Sequence, residues 1–303
     1  MTTQHQEFTR IDSDFLSHGT RCSGWLYLPK GVASPPIVIM AHGFAAEKTF
    51  RLPAFAERFV NEGLAVLLFD YRCFGGSDGK PRNLVNPFRH VQDWEAAIAH
   101  VPSLSGINHN RIALWGSSLS GGHVMVVASH DPGVSAIISQ MPLVDSIPVL
   151  RNMRPRQIIG GSMAAFRDLL RILTFRSPYC TPVFGDPGTI ACMTTPECKP
   201  GYLSIIPAGS TWKNECPARV LFTAGPYRPT TVAKRVKCPA LVIMGEKDSL
   251  IPPPSIEKAV SRMGNAELVK MPIAHFDMYT GEWFEKVVEV EARFLKEHLV
   301  ARH

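Results

Sequence analysis

The chain has 303 residues, 45% hydrophobic and 19% charged, with a formal net charge of +6. That length and balance suit a globular protein with one large domain carrying an insertion, or two small domains, and exclude a disordered or fibrous chain. A charge this mild, with no dense basic stripe, gives no reason to expect nucleic acid as a partner.

The longest apolar runs, such as Gly63-Leu-Ala-Val-Leu-Leu-Phe69, are strand-sized, so no membrane span is expected. The polar start, Met1 to Glu7, lacks the apolar centre of a secretory signal, which makes a cytoplasmic location the expectation. Seven cysteines at irregular spacing, with no C-x-x-C pair, predict reduced thiols, no metal and no cofactor. Four of them lie between 180 and 216, where a disulfide stays open as an alternative.

In chain order, residues 7–28 read as two antiparallel strands around a turn at Gly19, the second supported by alternation in Gly24-Trp-Leu-Tyr-Leu-Pro29. Pro36 to Ala41 is a continuous apolar run, as expected of a parallel strand covered on both faces, and it ends in His42-Gly43-Phe44. Apolar positions 52, 55, 56, 59 and 60 give helical spacing across 50–62. A buried strand follows at 64–69, then a helix at 88–101 and a strand at 111–115. After the segment Gly116-Ser-Ser-Leu-Ser-Gly-Gly122 a helix runs to about Ser129, and 134–139 is a further strand.

From about Ser146 to Val236 the rhythm breaks; this stretch is rich in proline, arginine, glycine and cysteine and reads as helical only near 162–175. Strand 239–244, a helix near 254–263, strand 266–271 and an amphipathic helix at 282–299 complete the chain. Alternating strands and helices predict an α/β fold with a mostly parallel sheet and helices on both faces. The core is expected to comprise 1–145 and 237–303, with 146–236 an inserted cap subdomain over the carboxyl ends of the strands, where open α/β sheets bind ligands. Helix 282–299 is expected to pack on its own sheet, and pairing through it leaves a dimer open.

Between a buried strand and a helix, a sharp turn can lift one serine hydroxyl above a sheet, provided its neighbours are small. Ser118 stands two residues after Gly116, directly at the strand end. Ser117 lies between them, and Ser120 falls one turn into the helix. A plain helix-capping serine is the structural alternative. A nucleophilic serine needs a base, and the base an orienting acid, on loops at the same strand ends. Asp248 sits four residues beyond strand 239–244, and His275 follows the last strand. Asp145 is the runner-up acid, with Glu246 and Asp277 behind it. The backbone N–H groups of Leu119 and Phe44 are placed to form an oxyanion hole, and His42 reads as structural. Met141, Leu143 and Phe276 join Phe44 and Leu119 as candidate pocket residues, core packing being the alternative for each.

With these pieces the chain resembles the α/β-hydrolase superfamily of serine hydrolases over nearly its full length. The resemblance is carried by Ala41-His-Gly-Phe44, Asp70-Tyr-Arg-Cys-Phe-Gly-Gly-Ser-Asp78, Trp115-Gly-Ser-Ser-Leu-Ser-Gly-Gly122, Gly245-Glu-Lys-Asp248 and Ala274-His275. More narrowly, it is similar to bacterial hydrolases related to dienelactone hydrolases and X-Pro dipeptidyl-peptidases, and to the fungal polyketide thiohydrolase and transferase group. Pro182 to Gly188 and Met193-Thr-Thr-Pro196 are similar to cap sequences there. Two departures stand out: Cys73 occupies a position where many relatives carry glycine, and Ser120 replaces the last glycine of the motif.

The resemblance implies a serine esterase or thioesterase that acts on a small-molecule acyl substrate through an acyl-enzyme. Arg151, Arg154, Arg156, Arg167, Arg171 and Arg176 would suit a carrier-linked, anionic substrate if they converge on the mouth, and a solvated helix face if they do not. An X-Pro peptidase and a non-catalytic binding protein on the same fold are the competing readings.

Overall fold

The computed structural model describes residues 8–300. An eight-stranded sheet forms its centre, built from β1 (Phe8–Asp12), β4 (Gly24–Pro29), β5 (Pro36–Ala41), β6 (Ala65–Phe69), β7 (Asn108–Ser117), β8 (Val134–Gln140), β11 (Ala240–Gly245) and β12 (Ala266–Met271), in the order β1-β4-β6-β5-β7-β8-β11-β12. Only β1 and β4 run antiparallel to their neighbours. Strands β5, β6 and β11 are buried at every residue, which is what a continuous apolar run between two helical layers requires.

The strand order explains where the site falls. From β5 the chain crosses through α1 (Leu52–Asn61) to β6 on one side of it. It then returns through α2 (Pro87–His100) to β7 on the other side and continues outward through α3 (Leu119–Ala128) to β8. Right-handed crossovers in opposite directions put their helices on opposite faces. Accordingly α1 packs with α9 (Gly281–Leu295), and α2 with α3. At the reversal, the carboxyl ends of β5 and β7 diverge and leave a crevice between them. The apolar face of α9, including Phe284, Val287, Val288 and Leu295, is buried, and the helix packs against α1, with Phe284 edge-on to Phe55 at 4.8 Å.

Two regions differ from the expectation. Residues 8–29 form four strands, not two: an inner hairpin of β2 (Phe15–Ser17) and β3 (Thr20–Cys22) turns at Gly19 (φ 76°), and β1 pairs with β4 outside it. The chain crosses itself at Ser13 and Gly24, where a side chain on Gly24 would meet the Ser13 carbonyl at 2.3 Å, and this crossing separates the two hairpins. Residue 7, expected to begin the first strand, lies outside the described residues.

Between β8 and β11 the chain forms α4 (Ser146–Asn152), α5 (Pro155–Leu173), α6 (Cys198–Ile205), α7 (Val220–Ala224) and a ribbon of β9 (Cys180–Thr181) with β10 (Cys216–Pro217). Helix α5 thus starts well before the 162–175 expected, and α6 and α7 have no counterpart in the sequence reading. All seven cysteines are unbonded; Cys192 and Cys216 come within 3.6 Å through their sulfurs without a disulfide. Among the described residues no helix is long and apolar enough to cross a membrane.

Candidate active site

Strand β7 runs through Ser117 and turns abruptly into α3 at Ser118, whose backbone sits at φ 57°, ψ −119°. A non-glycine residue held there stores on the order of 1–3 kcal/mol, which the surroundings must over-determine. They do so at close range. A side chain on Gly116 would collide with the Ser120 carbonyl at 2.3 Å, and one on Gly122 with the Leu143 carbonyl at 2.3 Å. The Ser118 N–H donates to Gln140 O at 2.8 Å, and Leu143 N–H to Ser118 O at 2.9 Å.

Geometry sorts the three serines. Ser117 Oγ is buried against the Tyr279 hydroxyl at 2.5 Å. Ser120 Oγ pairs with the Tyr71 hydroxyl at 2.7 Å, which also accepts from Trp94 Nε1 at 2.9 Å. That network gives the serine in place of the motif's last glycine a fully buried hydrogen-bonded seat. Ser118 Oγ alone faces the crevice, 3.1 Å from His275 Nε2. On the other side of the ring, His275 Nδ1 lies 2.7 Å from Asp248 Oδ2. Since the carboxylate can only accept, Nδ1 carries the proton and Nε2 is free to accept from Ser118. Asp248 Oδ1 takes the N–H groups of Leu250 and Ile251, both at 2.8 Å, which fixes the carboxylate's orientation.

Burial disfavours the His275 imidazolium, but the charge and hydrogen bond of Asp248, with the charge of Glu197 added, outweigh it and raise the pKa above 6.5. The competing acids are elsewhere. Asp145 is held by Arg228 through two 2.9 Å contacts and caps α4 through Ile147 N–H. Asp277 accepts from Ala274 N–H at 2.8 Å, and Glu246 is exposed.

The loop after β5 lies against the turn. A side chain on Gly43 would sit 3.1 Å from Ser118 Cβ and 3.8 Å from its Oγ. This brings Phe44 beside Ser118, while the Leu119 N–H, first in α3, has no partner within its own helix. His42 is wholly buried against Tyr71 and Phe74, with its pKa pushed down to about 4 by burial. It lines neither cavity described next.

Two cavities flank Ser118. The larger, about 140 Å³, is walled by Phe44, Leu119 and Leu143 from the core and by Leu150, Met153, Ile190 and Leu221 from the segment between β8 and β11. The smaller, about 20 Å³, lies on the His275 side among Phe44, Met193, Tyr202 and Phe276. Leu143 and Phe276 therefore line cavities, but Met141 does not. With φ at 43°, its side chain turns under the sheet end against Gly245, fully buried. Cys73 is also buried away from both cavities; its φ of 75° is the conformation in which a glycine would be unstrained. None of the six arginines singled out between 151 and 176 lines either cavity.

The sequence reading missed the residues that join the segment between β8 and β11 to this site. Glu197, just before α6, accepts from His275 N–H at 2.9 Å with one oxygen. Its other oxygen takes the N–H and hydroxyl of Ser249 at 2.7 and 2.5 Å. One carboxylate thus ties the loop of Asp248 to the loop of His275. The Tyr202 hydroxyl donates to Phe44 O at 2.7 Å, and Trp212 Nε1 to Ala45 O at 2.9 Å. No spacing pattern marks these residues; the only signal nearby was the likeness of Met193 to Pro196 to cap sequences.

A serine raised on a strained strand-to-helix turn, with an imidazole and a carboxylate presented by later strand ends in that chain order, defines a hydrolase of the strand-turn-helix type. The chain belongs to the α/β-hydrolase family, and it is an enzyme of the hydrolase class. Residues 34–172 match the family described as serine aminopeptidase, S33. Over 286 residues the chain is 37% identical to the quorum-quenching protein AidA of Acinetobacter baumannii, covering 94% of each. Over 147 residues it is 40% identical to the thiohydrolase aneE of Aspergillus aculeatus, covering 48% of this chain and 46% of that one. It superimposes on the crystal structure of the α/β hydrolase GrgF from Penicillium with a TM-score of 0.83 at 25% identity, covering 97% of this chain and 100% of that one.

Proposed function

We propose that the protein cleaves a small carboxylic ester or thioester through an acyl-enzyme on Ser118. The observation that carries this reading is the 3.1 Å approach of Ser118 Oγ to His275 Nε2 at the mouth of an apolar cavity. Ser118 Oγ attacks the acyl carbonyl while His275 Nε2 takes its proton, and Asp248 stabilises the resulting imidazolium. The N–H groups of Leu119 and Phe44 receive the negative oxygen of the tetrahedral intermediate, each at about 2.7–4 kcal/mol of barrier. His275 then gives its proton to the departing alcohol or thiol. Water, deprotonated by the same imidazole, releases the acid and regenerates the serine.

Residues 146–236 act in this proposal as the cap, and the larger cavity beneath them takes the acyl group. A dry cavity of about 150 Å³ holds a benzene-sized guest, so a volume of about 140 Å³ suits an acyl chain of about six carbons. The esterase and thiohydrolase names among similar proteins accord with this chemistry. A carrier phosphate gains no support, because the cap arginines stand clear of both cavities. An X-Pro peptidase would need an acidic anchor for a free amino terminus, and neither cavity is lined by Asp or Glu.

The test is covalent and kinetic. A fluorophosphonate should modify Ser118, and Ser118→Ala should keep the fold and lose turnover. With p-nitrophenyl esters and acyl thioesters, kcat/KM should climb by up to about fourfold per methylene, the limit set by ~0.8 kcal/mol per buried CH₂, and level off near six carbons. Turnover by Ser118→Ala equal to that of the wild type would refute the assignment.

A further inference from the structure

Helix α5 presents its bulk to solvent. Ile159, Met163, Phe166, Leu170 and Leu173 are each between 46% and 75% exposed. The face turned inward carries instead Gln157, Ala165 and Asp168, all buried. This inversion is firmly held. Asp168 accepts from Tyr179 N–H at 2.9 Å and Arg219 N–H at 3.0 Å, and from the Arg219 guanidinium at 2.6 and 3.0 Å. Gln157 donates to Thr194 Oγ1 at 2.6 Å and accepts from Arg154 N–H at 3.0 Å. The helix cannot roll its apolar side under without leaving a charge buried and unpaired.

We propose that this face is the interface with a second copy of the chain, two α5 helices packing antiparallel across a two-fold axis near Phe166. Five of the outward residues recur at alternating steps of four and three, the spacing by which helices pair with one another, and Leu169 and Ile172 widen the stripe toward its end. An antiparallel partner whose two-fold passes between Phe166 and Leu170 sets Phe166 against Leu170 and Met163 against Leu173, each pair occurring twice, the self-complementary contact a two-fold demands.

Size agrees as well. At their exposures the five side chains present roughly 600 Å² of apolar surface per copy, and Leu169, Ile172 and Phe175 bring it near the ~800 Å² per partner of a stable interface. Phe175 is 99% exposed and sits in the left-handed conformation just past the helix end. A helix terminus favours glycine there, and a phenylalanine is costly to leave in water.

Two arginines of α5 are engaged by their own chain: Arg167 stacks 4.4 Å above the Tyr179 ring, and Arg171 Nε donates to Ser177 O at 2.6 Å. The inward side of α5, through Gln157 and Gly161, lines the larger cavity, so pairing would also brace that cavity's wall.

Light scattering on the eluting full-length protein should give about twice the 33.4 kDa chain mass. Phe166→Glu and Met163→Glu should each halve it while fluorophosphonate still labels the protein stoichiometrically, which shows the fold intact. Leu16→Glu, an equally exposed position elsewhere, should leave the dimer mass unchanged. A monomeric wild type, or a Phe166→Glu protein that stays dimeric, overturns the proposal. Monomer that co-sediments with phosphatidylglycerol vesicles, and loses that binding in Phe166→Glu, overturns it in favour of a lipid surface.

Discussion

Glu291 gives the sharpest quantitative test of the packing beneath the site. It lies on α9, fully buried, with neither carboxylate oxygen hydrogen-bonded among the described residues. Burial pushes its pKa up to about 8, with the nearby Trp115 acting in the opposite direction. The carboxyl is therefore neutral in the folded protein near pH 7 and ionised in the unfolded chain, whose pKa is about 4.5. A raised folded pKa means that the stability is whole below the unfolded pKa and is lost as pH climbs toward the folded one. Glu291→Gln keeps the shape and removes the titration. Relative to that variant, the wild type should lose about 1.4 kcal/mol per pH unit above pH ~4.5, reaching roughly 3 kcal/mol at pH 7 and on the order of 5 kcal/mol beyond pH 8. Urea midpoints of the two proteins at intervals from about pH 5 to about pH 8 measure this difference, in which every other titrating group cancels. The amide's own burial adds a constant, so the slope decides. Two stability curves that stay parallel across this window would refute the reasoning.

Other outcomes follow from the site. Asp248→Asn should lower kcat by about 10⁴, the precedent for a triad acid, whereas Asp145→Asn should leave kcat near wild type and cost at most about 1 kcal/mol of stability through its weakened Arg228 pair, since asparagine still caps α4. The wild-type kcat/KM should rise with pH through a midpoint above 6.5, because His275 must be neutral to accept a proton and the nearby carboxylates stabilise its charged form. Glu197→Gln should move that midpoint to lower pH by removing one of those charges. Asp248, Ser118 and the buried, protonated Cys198 thiol remain around the site, so a fall in rate with an unmoved midpoint would mean that Glu197 acts through fold alone. Gly43→Ala should press on Ser118 Cβ and cut kcat by about 10- to 100-fold with little change in melting temperature.

The core was legible because its signals are local. Fully buried strands such as Pro36–Ala41 and Ala240–Gly245 write themselves as continuous apolar runs, and the residues just past their ends are delivered to one rim by the topology. That is why Ser118, Asp248 and His275 could be singled out together, from the small-residue turn, their places past strand ends and their order in the chain. Met141, offered as a pocket candidate with core packing as its alternative, takes the alternative, since a positive φ turns its side chain beneath Gly245. The segment between β8 and β11 was opaque for a different reason. Helices as short as Val220–Ala224 are too brief to hold by propensity and depend on contacts distant in sequence. Glu197 reaches Ser249 and His275, 52 and 78 residues away, and no periodicity encodes such a reach.

That reach limits how the enzyme can be re-engineered. Grafting a relative's segment between β8 and β11 would change the wall of the larger cavity, but it would also remove Glu197, Tyr202 and Trp212, which tether the loops of Asp248, His275 and Phe44. The cavity wall and the placement of those loops are therefore not separable modules here. Selectivity should be retuned by single changes along the α4, Ile190 and Leu221 wall, leaving the three tethers in place.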